Sequence, residues 1–221
     1  MSSQFDHIKK LYKSSYSLHG DSPSSLLTPK GRNDLRFRAI DQFIKKKPVR
    51  ILDYGCGLGY LFDYLKNKDK EFEYIGVDLL PEFVEACKLK YPQNKFPNAS
   101  FSVVEAEECI QGSFDIVFSS GVFNIRSHSE IAQSKAYTFQ RLEELYGLAK
   151  EAMVCDFLSA YVDFQQKDSQ HFSAREIADF CIHKLGRRFM LRHDLLPYEM
   201  TVIIWKNSSV KRPENVYDID F

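Results

Sequence analysis

Apolar positions along the chain follow two spacings that replace one another in turn. Short apolar runs bounded by turn residues predict strands, and apolar residues three or four positions apart predict amphipathic helices between them. Five runs are predicted strands, at residues 49–53, 72–78, 100–104, 114–118 and 152–157. The predicted helices cover residues 3–14, 35–44, 61–65, 81–91, 131–150 and 173–186. Strands that alternate with helices indicate a parallel sheet with helices on both faces.

The last apolar runs break this alternation. Residues 188–193 and 199–205 are predicted strands with only a short connection between them. Such a connection fits a hairpin, because a parallel crossover needs a dozen or more residues. We therefore expect an α/β fold whose doubly wound, seven-stranded sheet is mostly parallel and ends in an antiparallel hairpin. Ser173 and Glu176 form a capping-box pattern at the start of the last predicted helix.

The N-terminal region is polar after its first helix. Residues 14–32 are rich in serine, glycine and proline, which predicts a loop or lid outside the core. We therefore divide the chain into an N-terminal helix and lid (1–32), a main domain (33–206, with an insertion at 158–172) and a polar tail (207–221). The lysine run at 45–47 is predicted to be a solvated helix end.

Composition narrows the choice of partner and compartment. The 221 residues carry 30 basic and 30 acidic side chains, so no net positive charge favours nucleic acid. No apolar run reaches the roughly 18 residues that span a bilayer, and the N-terminus has no signal-peptide pattern. The five cysteines are odd in number and contain no C-x-x-C pair, which is typical of reduced thiols in a cytoplasmic protein. A monomer or homodimer is expected.

A glycine-rich turn follows the first strand and carries the main chemical signal. Asp53 precedes Gly55, Gly57 and Gly59, whose lack of a Cβ lets a ligand approach the backbone. Dinucleotide folds use G-x-G-x-x-G, with a pyrophosphate against the helix start. Here the spacing is G-x-G-x-G, and a carboxylate at that edge repels phosphate and attracts an ammonium group. S-adenosylmethionine, with an ammonium, a sulfonium and no phosphate, fits this turn.

The strand ending in Asp53-Tyr54-Gly55-Cys56-Gly57-Leu58-Gly59 resembles motif I of the class I S-adenosylmethionine-dependent methyltransferases. The resemblance extends over about residues 35–205 and includes the terminal hairpin. It implies a Rossmann-like fold, S-adenosylmethionine as cofactor and S-adenosylhomocysteine as product. It also implies cofactor contacts from Asp53, Gly55, Cys56, Gly57 and Gly59.

Further cofactor residues are expected at the ends of the next strands. Asp78 can accept both ribose hydroxyls, although this spacing also suits NAD and an Asp here can cap the helix at Pro81. The resemblance implies that Glu105 and Ala106 meet the adenine edge, although aspartate is commoner than glutamate in the family. Leu79 is expected to pack on the adenine face or in the core. Ser119 and Ser120 are expected to border the methionine part and the transferred methyl.

Three residues near the N-terminus have two interpretations each. Arg36 can bind the ligand carboxylate in a bidentate manner, or it can be solvated on its helix. His19 in the lid is a candidate general base, or a surface histidine. Tyr16 can pack against the sulfonium as an aromatic partner for a cation, or serve only the fold.

The acceptor is expected to be a small molecule that is methylated on oxygen or nitrogen. The chain lacks the [DNS]-P-P-[YF] motif of DNA adenine enzymes, the Pro-Cys pair of cytosine enzymes and the paired glutamates of protein arginine enzymes. Phe123, Asn124, Tyr161 and Tyr198 are candidate acceptor residues. No metal site is predicted. The alternatives are an NAD-dependent oxidoreductase and a module that binds S-adenosylmethionine without turnover.

Overall fold

One sheet runs through the protein, and its strands, counted along the chain, lie side by side in the order third, second, first, fourth, fifth, eighth, seventh. The computed structural model describes residues 5–28, 32–44, 48–68, 71–106 and 108–206. The strands are β1 Val49–Tyr54, β2 Phe72–Asp78, β3 Ala99–Val103, β4 Phe114–Ser119, β5 Ala149–Ser159, β6 His171–Phe172, β7 Phe189–Leu196 and β8 Glu199–Trp205. The helices are α1 Asp6–His19, α2 Arg32–Phe37, α3 Tyr60–Lys66, α4 Pro81–Lys90, α5 Ile131–Leu148 and α6 Ala174–Phe180.

Strand pairing confirms the predicted mixed sheet. β1 pairs in parallel with β2 and β4, and β5 continues the parallel series beside β4. β8 pairs antiparallel with both β5 and β7, so the chain ends in the expected hairpin. The sheet gains one short strand that the sequence did not predict, because β6 pairs in parallel with the end of β5.

Alternation along the strands gives the sheet two apolar faces. Ile51 and Ile116 belong to a cluster on one face, and Leu52 and Val117 belong to a cluster on the other. Adjacent strand residues point to opposite faces, so a strand that is buried on both sides is apolar at nearly every position. This double burial explains why the central strands are continuous apolar runs.

Three local predictions change in the structure. α1 extends to His19, five residues beyond the predicted helix end, so residues 15–19 of the predicted loop are helical. The helix predicted at 35–44 is α2 followed by a 3₁₀ turn at Arg38–Ile40. The predicted insertion at 158–172 contains the end of β5 and all of β6. The capping box of Ser173 and Glu176 is confirmed.

The order of the strands places a crevice at one edge of the sheet. The chain runs outward from β1 to β3 and then returns to β4 on the other side of β1. Ligands bind at such a switch point, outside the carboxyl ends of the strands. The lysine run at 45–47 and the tail at 207–221 lie outside the described residues, and the domain division stays a prediction. No helix within the described ranges is long and apolar enough to cross a membrane.

Candidate functional site

The turn after β1 has a backbone that only glycine adopts without strain. Gly55 has a φ of 79° and Gly57 a φ of 54°. The N–H groups of Gly55 and Cys56 both donate to the Val77 carbonyl, at 2.8 and 3.0 Å, which ties the turn to the end of β2. A Cβ built on Gly55 would lie 2.1 Å from Cγ2 of Val122, so any side chain there must displace its neighbour.

Asp78 closes β2 and organises the same turn. Its carboxylate accepts the Gly57 N–H at 2.8 Å and the Leu80 N–H at 2.9 Å. Burial raises the pKa of Asp78 to about 6, although these backbone N–H groups oppose the rise. The helix-cap interpretation therefore has a structural basis, because Leu80 is the N-cap of α4. Each oxygen keeps a second lone pair for a ligand.

Asp53 lies near the end of β1, just before the glycine turn, and is 3% exposed. The Tyr74 hydroxyl donates to Oδ2 of Asp53 at 2.5 Å. Burial raises the pKa of Asp53 to about 7, the Tyr74 hydroxyl opposes the rise, and the charge of Asp78 adds to it. The free carboxyl is therefore near the midpoint of its titration at neutral pH, and a nearby cation would favour its ionised form.

A first cavity, which we call the inner cavity, opens beside these two carboxylates. Its volume is about 160 Å³. Its roof is α1 with the 3₁₀ turn Pro23–Leu26, which contribute Phe5, Ile8, Tyr12 and Leu26. Leu26 also covers the glycine turn, since a Cβ on Gly57 would lie 2.9 Å from its side chain. The turn, the ends of β2 and β4, and the roof thus enclose one space.

Polar contacts fasten α1 over the inner cavity. Lys9 pairs with Glu105 at 2.7 Å and Lys13 pairs with Glu82 at 2.5 Å. Nε2 of His7 is 2.8 Å from the Arg126 carbonyl oxygen. Glu105 follows β3, Glu82 lies in the first turn of α4, and Arg126 precedes α5. These contacts therefore attach α1 to three different parts of the fold. Burial also raises the pKa of Tyr12 to about 12.

A buried charged cluster borders the glycine-rich end of this cavity. Nε and Nη2 of Arg36 donate to the two carboxylate oxygens of Glu199, at 2.6 and 2.7 Å. Asp156 lies 4.0 Å from Arg36 Nε and accepts the Ser120 hydroxyl at 2.5 Å and the Gly121 N–H at 2.7 Å. Burial raises the pKa of Asp156, and Arg36 opposes that rise. The cluster therefore ties α2, β5 and β8 to the end of β4.

A second cavity, the outer cavity, lies against the first and has a volume of about 450 Å³. The β7–β8 hairpin, the stretch after β5 and residues 166–171 form its walls. The two cavities share six lining residues: Tyr12, Leu26, Thr28, Arg36, Gly121 and Ile125. A molecule in the inner cavity therefore meets a molecule in the outer cavity at this shared boundary.

The structure brings most of the predicted residues together. The inner cavity is lined by Asp53, Gly55, Cys56, Gly57, Asp78, Leu79, Ala106, Ser120, Arg36 and Phe123. Asn124 and Tyr198 line the outer cavity. Their contacts with a ligand stay predictions. Arg36 differs in one respect, because its bidentate partner is Glu199 rather than a ligand.

Three predicted cofactor residues lie elsewhere. Glu105 points outward to Lys9 with 64% of its side chain exposed, because strand-like alternation turns its neighbours Val104 and Ala106 inward. Ser119 is buried but does not line either cavity; the adjacent Ser120 does. Gly59 is the N-cap of α3, and a Cβ there would lie 2.8 Å from the Tyr91 ring.

Three predicted residues of the lid and the acceptor side also lie outside both cavities. His19 is exposed at the last position of α1, about 10 Å along the helix axis from Tyr12. Tyr16 packs edge-on against Phe83, with ring centroids 5.4 Å apart. Tyr161 is 59% exposed. Tyr12 and Tyr16 lie on the same face of α1 and both contact Phe83, so Tyr16 differs from Tyr12 by its place about 6 Å further along the helix.

Sequence reasoning missed several residues that the fold brings to the site. Tyr12 and Tyr137 line the inner cavity, and His171 lines the outer cavity. Asp156 belongs to the charged cluster, but the sequence shows only that it lies in a predicted strand. Tyr12 had a usable signal in the sequence, because its spacing from Phe5 and Ile8 puts the three side chains on one face of a helix. No group of three potential metal ligands occurs in the part of the chain that the structure describes, and metal independence stays a prediction.

Comparison with known proteins gives a consistent family assignment. Residues 45–184 match the model of a family described as a methyltransferase domain. A protein of Mycobacterium tuberculosis that carries a methyltransferase name is 29% identical over 163 residues, which are 73% of this chain and 95% of that relative.

Solved structures with the same fold include two methyltransferases. Magnesium protoporphyrin IX methyltransferase from Synechocystis, crystallised with S-adenosylhomocysteine, has a TM-score of 0.63 and 14% identity, over 91% of this chain and 97% of that one. An S-adenosylmethionine-dependent methyltransferase from Aquifex aeolicus has a TM-score of 0.56 and 20% identity, over 83% and 98% of the two chains. These likenesses confirm the Rossmann-like fold.

Proposed function

This chain belongs to the family of S-adenosylmethionine-dependent methyltransferases, and on that premise we propose that it methylates a small-molecule acceptor held in the outer cavity. The observation that carries the proposal is the pair of cavities that adjoin along Tyr12, Leu26, Arg36 and Gly121. One has the carboxylates expected for a cationic nucleoside, and the other is large enough for a separate small molecule, since ligand pockets measure about 300–1,000 Å³.

In our proposal the nucleoside of the cofactor lies in the inner cavity with its ribose at Asp78 and its adenine beyond that residue. Asp78 accepts the two ribose hydroxyls with the lone pairs that its backbone contacts leave free. Leu79, Val104 and Ala106 line the part of the cavity beyond Asp78, where the adenine lies. The inner cavity is smaller than a typical ligand pocket, so α1 and the turn at Pro23–Leu26 shift outward when the cofactor enters.

The methionine end of the cofactor then lies by the charged cluster. Asp53 faces the α-ammonium as its counter-charge. The third guanidinium nitrogen, Arg36 Nη1, lies 3.5 Å from the position of a Cβ on Gly121, so it faces this end of the inner cavity. We assign it a single hydrogen bond to the cofactor carboxylate, in place of the bidentate contact predicted from the sequence.

This placement brings the methyl group to the boundary that both cavities share. The reaction is an in-line displacement, in which an acceptor oxygen or nitrogen attacks the methyl carbon and the sulfide leaves. The sulfonium is already activated, so the protein acts mainly by positioning. Positioning of this kind supplies up to about 7–11 kcal/mol of the barrier in favourable cases.

Cofactor affinity is expected to rise with pH and to level off above about pH 7. The ammonium binds the ionised form of Asp53, whose pKa is raised to about 7 by burial. Below that value each pH unit weakens binding of S-adenosylhomocysteine about tenfold, because a proton must first leave. Below about pH 6 the slope steepens, since Asp78 then also takes up a proton. Calorimetric titration from pH 5 to 8 measures the profile.

The Asp53→Asn variant is the control for this profile. Asparagine cannot titrate, so the loss of affinity between pH 7 and 6 is expected to disappear. The loss below pH 6, which comes from protonation of Asp78, is expected to remain. Calorimetry in buffers of different ionisation enthalpy is expected to show proton release on binding to the wild type near pH 6.5. An affinity that does not change between pH 5 and 8 would contradict the role of Asp53.

Asp78→Asn is expected to weaken S-adenosylhomocysteine binding by about 10- to 100-fold. The neutral asparagine still accepts from one hydroxyl, so the net loss is about one charge-assisted hydrogen bond, worth about 1.5–3 kcal/mol. The asparagine keeps one acceptor oxygen, so it retains one of the two backbone N–H bonds and loses the other, and the thermal midpoint of the variant is recorded to show whether the turn is loosened. Isothermal calorimetry at pH 8, where the wild-type carboxylate is ionised, measures the change.

Glu105→Gln is the matched control, because the sequence proposed Glu105 for the same ligand and the structure turns it toward Lys9. Its expected effect is less than threefold. A loss at Glu105 equal to that at Asp78 would mean that the adenine lies against the outside of β3. Titration with NAD⁺ in place of S-adenosylhomocysteine is expected to give no heat of binding.

Family membership decides between the alternatives. An NAD-dependent oxidoreductase is the wrong interpretation of the glycine turn, since the chain belongs to a methyltransferase family. The same membership favours an enzyme over a module that only binds the cofactor, and formation of S-adenosylhomocysteine distinguishes the two. A cytoplasmic location and a monomeric or homodimeric state remain proposals that rest on the sequence.

A further inference from the structure

We propose that His171 is the general base of the transfer and that the acceptor is a hydroxyl compound, a phenol or alcohol with an apolar body. This inference rests on the proposed function, since it assumes that the acceptor occupies the outer cavity. It replaces His19, which lies outside both cavities, with a histidine that lines the outer cavity.

The hydrogen bond on the far side of the ring fixes which nitrogen of His171 carries the proton. Nδ1 lies 2.7 Å from the backbone carbonyl oxygen of Ser159. A carbonyl oxygen has no proton to give, so Nδ1 must be the donor. In the neutral ring Nε2 is then unprotonated and holds a lone pair. A general base for a hydroxyl group needs such a nitrogen.

Strand alternation directs the ring toward the outer cavity. Gln170 and Phe172, on either side of His171, are 2% and 0% exposed and point into the core. Side chains of successive strand residues face opposite sides, so His171 faces the other way, where it lines the cavity. β6 pairs with the end of β5, which places His171 at the carboxyl edge of the sheet.

The segment that carries His171 is held firmly along its length. The Gln170 N–H donates to the Asn124 carbonyl at 2.8 Å, and Nε2 of Gln170 donates to the Thr138 hydroxyl at 2.8 Å. The Ala160 N–H donates to the Phe172 carbonyl at 2.8 Å. These contacts fix the backbone on both sides of His171, so the ring has little freedom to turn away from a bound acceptor.

The lining of the outer cavity favours a neutral acceptor with an apolar body. Leu27, Leu158, Val162, Phe164 and Tyr198 contribute apolar and aromatic surface. Both arginines in the lining, Arg32 and Arg36, already donate to Glu199. A carboxylate or phosphate acceptor needs a cation; among the described residues of this lining both arginines pair with Glu199, Nη1 of Arg36 is assigned to the cofactor, and Asp163 adds a negative charge.

The step balances on the groups named. The hydroxyl oxygen forms a bond to the methyl carbon as the bond from that carbon to sulfur breaks and its electron pair remains on sulfur. Nε2 of His171 takes the hydroxyl proton, which gives a methyl ether, S-adenosylhomocysteine and an imidazolium. The imidazolium then loses its proton to water in the outer cavity. A base of this kind contributes about 10²- to 10⁴-fold to the rate.

The test compares His171→Asn with the wild type, using phenol and 4-nitrophenol as acceptors and S-adenosylhomocysteine formation as the readout. Asparagine keeps a donor where Nδ1 stood, so the bond to the Ser159 carbonyl is retained while the base is removed. We expect kcat for phenol to fall by about 10²- to 10⁴-fold. The loss for 4-nitrophenol is expected to be smaller, because this more acidic phenol ionises without help.

Three controls separate the possible results. His183→Gln changes an exposed histidine outside both cavities and is expected to leave kcat unchanged. Calorimetric binding of S-adenosylhomocysteine and the thermal midpoint of His171→Asn are expected to match the wild type. Should that variant not fold, His171→Gln replaces it. Long-range ¹H–¹⁵N NMR of the histidine rings is expected to show protonated Nδ1 and unprotonated Nε2 for His171.

The outcomes that overturn the inference differ from those that overturn the proposed function. A wild type that binds no S-adenosylhomocysteine would reject the proposed function. A wild type that binds it, while His171→Asn keeps full kcat or the NMR spectrum shows protonated Nε2, would reject His171 as the base. A cofactor-binding wild type that methylates aniline or benzoate but neither phenol would reject the hydroxyl acceptor.

Discussion

Gly55→Ala is expected to abolish measurable cofactor binding and to lower the free energy of unfolding by about 2–5 kcal/mol. The backbone at Gly55 has a φ of 79°, which costs an L-residue about 1–2 kcal/mol. The new methyl group would also meet Cγ2 of Val122 at 2.1 Å, and overpacking costs about 1–3 kcal/mol. Relief of the clash moves the turn or the start of the 3₁₀ turn at Val122–Asn124, and both line the inner cavity.

Urea denaturation and calorimetric titration with S-adenosylhomocysteine measure the two effects. Gly147→Ala is the matched control, because Gly147 lies in α5 and no heavy atom lies within 4 Å of its added Cβ. That control is expected to gain about 0.5–1 kcal/mol, since alanine loses less entropy than glycine in a helix. A Gly55→Ala protein with wild-type affinity would show that the cofactor does not lie against the turn.

Residues whose role depends on a short stretch of chain could be predicted from the sequence. Asp53 and Asp78 each close an apolar strand, and the glycine spacing fixes the turn between them. Parallel strands end at one edge, so both carboxylates were expected at the same crevice, and both line the inner cavity. The hairpin was predictable for the same reason, because the length of its connection is a local property.

The charged cluster could not be predicted, because it joins residues that are far apart in the sequence. Arg36 and Glu199 are separated by 163 positions, and no pattern around either one identifies the other. The same holds for His171, since a strand of two residues is too short to show a period. Its exposure to the outer cavity depends on the pairing of β6 with β5, which is a property of the folded sheet.

The outward direction of the Glu105 side chain had a signal that was available in the sequence. Val104, Glu105 and Ala106 follow a strand whose side chains alternate, and the two apolar members are buried. A strand that continues its alternation turns the residue between two inward side chains toward solvent. This alternation directs the Glu105 side chain toward solvent and Lys9, while its contact with the adenine stays a prediction.

Glu199→Gln is expected to lower the free energy of unfolding by about 3–5 kcal/mol, which is the usual cost of breaking a buried ion pair from one side. Glu199 receives two hydrogen bonds from Arg36 and a longer one, at 3.3 Å, from Arg32. The glutamine is neutral and its amide nitrogen faces guanidinium donors, so Arg36 keeps a buried charge with one fewer partner. Asp156, at 4.0 Å, limits the loss and favours the lower end of the range.

Glu73→Gln is the matched control, because it removes an exposed ion pair and so shows how much of the loss at Glu199 is due to burial. Glu73 accepts from Arg50 Nε at 3.0 Å, but its side chain is 56% exposed, so its removal is expected to cost less than about 1 kcal/mol. Urea denaturation of both variants measures the difference. Equal losses would contradict a buried cluster. A large loss for Glu199 alone, together with weaker S-adenosylhomocysteine binding, would mean that the Arg36–Glu199 pair both holds the hairpin against α2 and keeps Nη1 directed at the cofactor carboxylate.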